Sequence, residues 1–219
     1  VKKGKPEREP LTRERVLSAA LKIVDNEGLE ELSMRRLGQE LGVEAMSLYN
    51  HVASKAELLD GVFEVVLSGL PSVPADRSWI QGVRILARGF RSVLSAHPNA
   101  VPLFADRPAV SEGSLRYVEA ALGLLDRAGF SFGESIYALQ SMVAFVVGHA
   151  LVSRATPDAD PRYHLLPREQ FPHLTKFGAN STRLAVDDEF EFGLEAMVQG
   201  LRVRARALVR THKRASGRS

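Results

Sequence analysis

The sequence predicts an all-α protein, an N-terminal three-helix helix-turn-helix head followed by a larger helical domain. Three observations predict it. Apolar residues recur at helical spacing through most of the chain, and no alternating strand pattern of any length interrupts them. Helix punctuation falls where that spacing asks for it, with Thr12, Ser33, Ser54 and Ser131 at starts and Gly28, Gly42 and Gly129 at stops. The 219 residues, 45% hydrophobic and 25% charged, are enough for one large packed domain or two small ones.

Taken in order, residues 1–10 form a charged arm, with Lys2, Lys3, Lys5 and Arg8 around Pro6 and Pro10. Such a segment is either a solvated tail or an arm that touches phosphates or a minor groove. The first helix spans 12–26, with Thr12 as N-cap and Val16, Ala19, Ala20, Ile23 and Val24 along one face. Ser33 caps a second helix that carries Met34, Leu37 and Leu41 inward and ends at Gly42, where a positive φ turns the chain. A short third helix, 44–51, buries Leu48 and Val52 and turns small, polar and aromatic side chains outward, a composition suited to a major groove. Ser54 and Glu57 make a capping box for a helix reaching residue 70, whose many apolar residues require burial against a second body.

The residues Gly42-Val43, Ser47-Leu48-Tyr49-Asn50-His51-Val52 and Ser54-Lys55-Ala56-Glu57-Leu58-Leu59 resemble the DNA-binding domain of the tetracycline-repressor (TetR) family. The likeness is strong over 11–60 and continues more weakly to the C-terminus, where it is similar to the tetracycline-repressor-type C-terminal domain. It implies an arm at 1–10, a DNA-binding head at 11–57, a ligand-binding and dimerisation domain at 58–212 and a basic tail at 213–219. It also implies that Arg35, Ala45, Met46, Asn50 and His51 read bases, while Ser47, Tyr49 and Lys55 hold phosphates. The chemistry independently permits these roles: an arginine fork matches guanine O6 and N7, asparagine suits adenine, and a helix N-terminus at Lys55 favours an anion. Glu44 departs from the small polar residue with which many members begin the third helix.

Beyond residue 70, Pro71 and Pro74 stop the fourth helix. A helix over 76–96 is broken by His97-Pro98, residues 99–110 read as irregular, and a helix over 111–128 follows. Ser131 and Glu134 form a second capping box opening an apolar helix to about residue 154. Residues 156–187 hold Pro157, Pro161, Pro167 and Pro172 and read as loop with a short helix near 168–177. The last helix spans 187–212, acidic at its start and basic at its end, as the helix dipole prefers.

The effector, from the resemblance, is a small molecule. Val101–Asp106 lacks the imidazole that tetracycline-binding members use beside magnesium, so an apolar or aromatic compound is expected instead. Trp79, Phe90, Phe104, Tyr137 and Phe145 are the apolar candidates, with Arg107, Gln140 and His149 as polar anchors. Each is also readable as plain core, the commoner role for such residues. A homodimer is expected through the last helix and the one opening at Ser131, with Gly148, Phe190, Gly193, Leu194, Met197, Gly200 and Leu201 at the interface.

Other functions find little support. Gly129-Phe130-Ser131-Phe132-Gly133 spells the serine-hydrolase elbow, but that motif needs a preceding strand, and Ser131 is already used as a cap. No phosphate-binding loop or dinucleotide fingerprint appears, and the six histidines lack metal-ligand spacing, so no enzyme, metal or cofactor is expected. There is no cysteine, no apolar signal segment, and the run 142–152 falls short of a membrane span. The expectation is a cytoplasmic, homodimeric repressor bound to a palindromic double-stranded operator and released by an effector. The same residues would also serve an activator or a partner-controlled regulator, or a helical ligand-binding protein whose head does not bind DNA.

Overall fold

The structure, a computed structural model, describes residues 10–155, 165–180 and 186–216, and the side chains of these except at 154–155, 177–180 and 209–216. Most of the expected arm (1–9) and the end of the tail (217–219) lie outside the described residues. Among the described residues every regular element is helical: α1 (Arg13–Glu27), α2 (Met34–Leu41), α3 (Ala45–Leu48), α4 (Lys55–Leu67), α5 (Trp79–Ala96), α6 (Val101–Asp106), α7 (Glu112–Arg127), α8 (Phe132–Ala155), α9 (Pro172–Asn180) and α10 (Val186–Ser216).

Local chemistry sets most of these boundaries. Thr12 Oγ1 accepts from the Arg15 N–H, Ser33 Oγ from Arg36 and Ser54 Oγ from Glu57, each at 3.1–3.2 Å, so three helices start on the side chains expected. Glu57 completes its box one residue early, taking the Ala53 N–H at 2.7 Å. α5 starts at Trp79 and not at 76, because Ser78 and Gln81 form the cap. α4 stops at Leu67, short of the expected 70. Residues 98–110 are more ordered than expected: a 3-10 turn, Pro98–Ala100, leads straight into α6. Pro98 and Pro102 sit in first turns, where a missing N–H costs nothing.

The chain forms two compact units. The first holds the residues through Leu70 together with Val93–Val118, and the second holds Pro71–Ser92 and Glu119–Ser219. The chain therefore passes from one to the other after Leu70, back inside α5 and again inside α7.

In the first unit α1 packs on both α2 and α4. Val16, Ala20, Ile23 and Val24 meet Leu32, Leu37, Leu48, Val52, Leu58 and Val62 in a fully buried core. α4 was expected to find its cover in the second domain. It finds it here, because α6 lies on its other side, with Phe104 stacked on Phe63 at 4.4 Å between ring centroids. Polar contacts fasten the same segment. His97 Nδ1 lies 3.0 and 3.1 Å from the Asp25 carboxylate oxygens, Asn99 Nδ2 donates to the Asp25 carbonyl at 3.0 Å, and Arg107 pairs with Asp60.

In the second unit α8 and α10 run antiparallel, with Arg204 donating to Glu134 at 2.9 Å near one end and Phe145 stacked on Phe190 at 5.3 Å nearer the other. A ladder of ion pairs fixes α10 to α5: Arg84 with Glu195, Arg88 with Glu191, and Arg91 with Asp187. The facing guanidinium holds Glu195 and Glu191 below the usual carboxylate range. α9, expected near 168–177, lies slightly later.

Candidate nucleic-acid interface

The helix-turn-helix depends on two glycines in different ways. Gly42 takes φ +66°, the left-handed conformation that closes α2, and its N–H bonds to the Gln39 carbonyl. Gly38 was not singled out from the sequence, because nothing local marks it. A Cβ there would lie 2.9 Å from the Val43 carbonyl oxygen and 3.3 Å from the Ala45 nitrogen. The bare backbone lets the start of α3 pass against α2, while Val43 N–H donates to the Gly38 carbonyl at 2.9 Å. A glycine four residues before the turn glycine was the available signal.

α3 is a single turn, Ala45–Leu48, shorter than the expected 44–51, and residues 49–51 continue as a hydrogen-bonded turn. Glu44 occupies its N-cap position without making a capping bond, so nothing prolongs the helix from its start. Leu48 and Val52 are buried, as expected, and hold the segment on the core. Outward, Met46 is 75% exposed and Tyr49 44% exposed, and Asn50 is exposed beside the partly covered Ala45, Ser47 and His51. Tyr49 therefore stands outside the core, the other place open to a phenol ring.

The cations around this face divide into two sets. Arg36 lies between Glu27 and Glu40, donating from Nε to Glu27 at 3.0 Å and from Nη2 to Glu40 at 2.9 Å. Its hydrogen bonds hold Glu27 below the ordinary carboxylate range; Glu40 is lowered too, first by Lys22 and then by Arg36. Arg36 is therefore a brace between α1 and α2. Arg35, one residue earlier, is exposed and makes no ion pair among the described residues. Lys55, the first residue of α4, is exposed and equally unpaired among them, at a helix end whose N–H groups attract anions. Arg35, Lys55 and the outward side chains of α3 thus belong to one compact unit.

The expected effector and dimer residues distribute less simply. Phe104 and Arg107 belong to the first unit, engaged with Phe63 and Asp60. Trp79, Phe90, Tyr137, Gln140, Phe145 and His149 belong to the second. There Trp79 meets Phe130 edge-on at 5.9 Å, Phe145 and His149 adjoin Phe190, and Tyr137 and Gln140 point outward on α8. Phe190 and Leu194 are fully buried within a single chain, which removes them from any surface between copies. Gly193 does allow a close approach, but to the Phe145 ring of its own chain, 2.5 Å from where a Cβ would stand. Gly148 and Gly200 have nothing within 4 Å of that position, and Met197 and Leu201 are half-buried.

Gly148 and Gly200, expected at the interface, fall in two seams together with Tyr137 and with residues missed from the sequence. On α8, Tyr137, Ser141, Ala144, Gly148 and Leu151 repeat every three or four residues; on α10, Phe192, Ala196, Gly200 and Val203 do the same. Tyr137 is 71%, Phe192 80% and Val203 68% exposed. Phe132–Ser153 is long and apolar enough to span a bilayer by composition, yet little of it is buried in one chain.

Comparison with known proteins places this geometry. Residues 16–62 match the profile of bacterial regulatory proteins of the tetR family, and residues 70–205 match the tetracyclin repressor-like C-terminal domain. The HTH-type transcriptional repressor DrrR1 of Streptomyces coeruleorubidus is 33% identical over 91% of this chain and 81% of its own. The class E tetracycline repressor protein of Escherichia coli is 31% identical over 87% of this chain and 90% of its own. The TetR family protein ActR of Streptomyces coelicolor, solved in complex with actinorhodin, superposes with a TM-score of 0.78 at 35% identity, covering 90% of this chain and 99% of that one.

Proposed function

The chain belongs to the TetR family of bacterial regulatory proteins, and from that premise we propose that it is a ligand-responsive repressor that binds a near-palindromic operator as a homodimer. The observation that carries this reading is the pairing of an outward-facing α3 with two cations that make no ion pair among the described residues, Arg35 and Lys55, in one compact head. Arg35, Ala45, Met46, Asn50 and His51 read base edges, and Ser47, Tyr49 and Lys55 grip phosphates. The basic residues at 1–10 add a backbone or minor-groove contact, and the protein acts in the cytoplasm.

A second copy of the chain covers the α8 and α10 seams, forming a four-helix bundle through Tyr137, Ala144, Gly148, Phe192, Gly200 and Val203. Small residues at alternate steps admit a close helix approach, and the spacing of three and four is that of interlocking helices. Two heads then meet successive major grooves about 34–36 Å apart.

The effector is a small aromatic molecule bound by the second unit. ActR is solved with actinorhodin, and the tetracycline repressors are named for their drug; this chain takes a ligand of its own. Binding releases DNA only through a difference in affinity between the operator-competent state and the released one.

Selection from a random duplex library tests the reading. The expected product is a set of sites with two inverted half-sites one helical turn apart. Enrichment of no sequence, or of a single unrepeated half-site, would overturn it.

A further inference from the structure

The chain contains no cysteine, so its four methionines, Met34, Met46, Met142 and Met197, carry all of its sulfur. Three of them are partly covered: Met34 at the start of α2, Met142 on α8 and Met197 on α10. Met46 differs, being 75% exposed in the single turn of α3. Its neighbours Ala45 and Ser47 are short, and Leu48 is buried in the core below. The most accessible sulfur of the chain therefore stands among the side chains assigned to DNA.

A thioether has no hydrogen-bond donor and only a weak acceptor, so in a major groove it suits the methyl group of thymine. Hydrogen peroxide changes that character. The sulfur lone pair attacks one peroxide oxygen, an S–O bond forms as the O–O bond breaks, and the departing hydroxide takes the remaining proton to become water. Sulfur is oxidised by two electrons and the peroxide is reduced. The product, methionine sulfoxide, is polar and chiral. Against a thymine methyl its oxygen is stripped of water without gaining a partner, and against guanine N7 and O6 it meets other acceptors. We propose that Met46 is a site of reversible oxidation and that its sulfoxide weakens operator binding, so that peroxide acts on the head directly. The inference rests on the reading of α3 as the base-reading turn and adds a chemical input at that turn.

The test treats the full chain with hydrogen peroxide, follows each methionine by peptide mass spectrometry, and measures binding to the sites selected from the duplex library. Met46 is expected to oxidise first, and operator affinity to fall about tenfold as it does, the scale of one disrupted base contact. The two methionine sulfoxide reductases, one for each epimer, should restore both the thioether and the affinity when supplied with a dithiol. Saturating operator should slow oxidation of Met46 but not of free methionine in the same solution. Met46→Leu, compared with its own untreated affinity, should not respond to the same dose. Oxidation of another methionine ahead of Met46, unchanged affinity with Met46 oxidised, or an oxidation rate indifferent to operator would each overturn the proposal. All three are read in wild type, so the outcome does not hang on the variant. Untreated wild type that selects no site would overturn the regulator reading and this inference with it; a bound operator with an inert Met46 would overturn the inference alone.

Discussion

The two units spend their apolar residues differently. The first closes its core within one chain: α1, α2 and α4 bury Val16, Ile23, Leu37, Leu48, Leu58 and Val62 almost completely, and the large side chains left out on α3 are Met46 and Tyr49. The second buries Phe190, Leu194 and Val198 yet leaves Phe132, Tyr137, Val152, Phe192 and Val203 outside. Their charges differ as well. In the first unit Arg36 and Arg107 brace the fold while Arg35 and Lys55 make no ion pair among the described residues. In the second, Arg84, Arg88 and Arg91 are all committed to α10. A surface that is polar with two unpaired cations suits a polyanion, and a surface that is apolar and periodic suits another protein surface.

Substitutions separate the two. Phe190→Ala should cost most, about 3–5 kcal/mol, since it empties a fully buried site between α5, α8 and α10. Chemical denaturation checks it, and operator binding at temperatures where the variant stays folded should survive. Gly38→Val comes next, at about 1–3 kcal/mol, because the new side chain meets the backbone of Val43 and Ala45 and not a movable group. Operator binding should be lost in a mobility shift while the second unit still forms dimers; retained binding would refute the close approach of α2 and α3.

Phe192→Glu combined with Val203→Glu should convert dimer to monomer by sedimentation and leave the fold intact by circular dichroism, because both positions face outward. A variant that stays dimeric would move the interface off the seams. Arg35→Ala should cost about 1–3 kcal/mol at one base pair and little elsewhere. Lys55→Ala should weaken all sequences alike and reduce the salt slope by about 0.9 per lost contact.

The smallest effect concerns the α5–α10 ladder. Glu195→Gln should change stability by roughly 0.2–1 kcal/mol, as for partly exposed ion pairs. Because Glu191 and Glu195 have lowered folded pKa values, their contribution is complete above the unfolded carboxylate value of about 4.3 and is lost as pH falls through the folded one. Thermal melts from pH 7 downward should show the gap between wild type and Glu195→Gln closing on the acid side.

What could be read from the sequence was what neighbours in the chain decide. Thr12, Ser33 and Ser54 announce their helices through side chains that reach three residues ahead. Leu48 and Val52 declare their inward face by spacing alone. α6 was hidden because Pro98 and Pro102 look like breakers until it is known that both stand in first turns. Gly38 was hidden because its reason is a backbone five to seven residues further on. α10 carries two apolar stripes, Phe190 with Leu194 and Phe192 with Ala196, and spacing cannot say which is inside. Arg91 and Phe145, distant in the chain, settle it by meeting Phe190.

The sharing of α5 and α7 between the units limits how the protein can be cut apart or recombined. A fragment ending at Leu70 would carry the whole helix-turn-helix but leave Asp25, Asp60 and Phe63 without the segment that fastens to them. Heads from relatives are therefore poor candidates for grafting at a single junction; a chimera that keeps 93–118 matched to its own first seventy residues is the smaller operation on the fold.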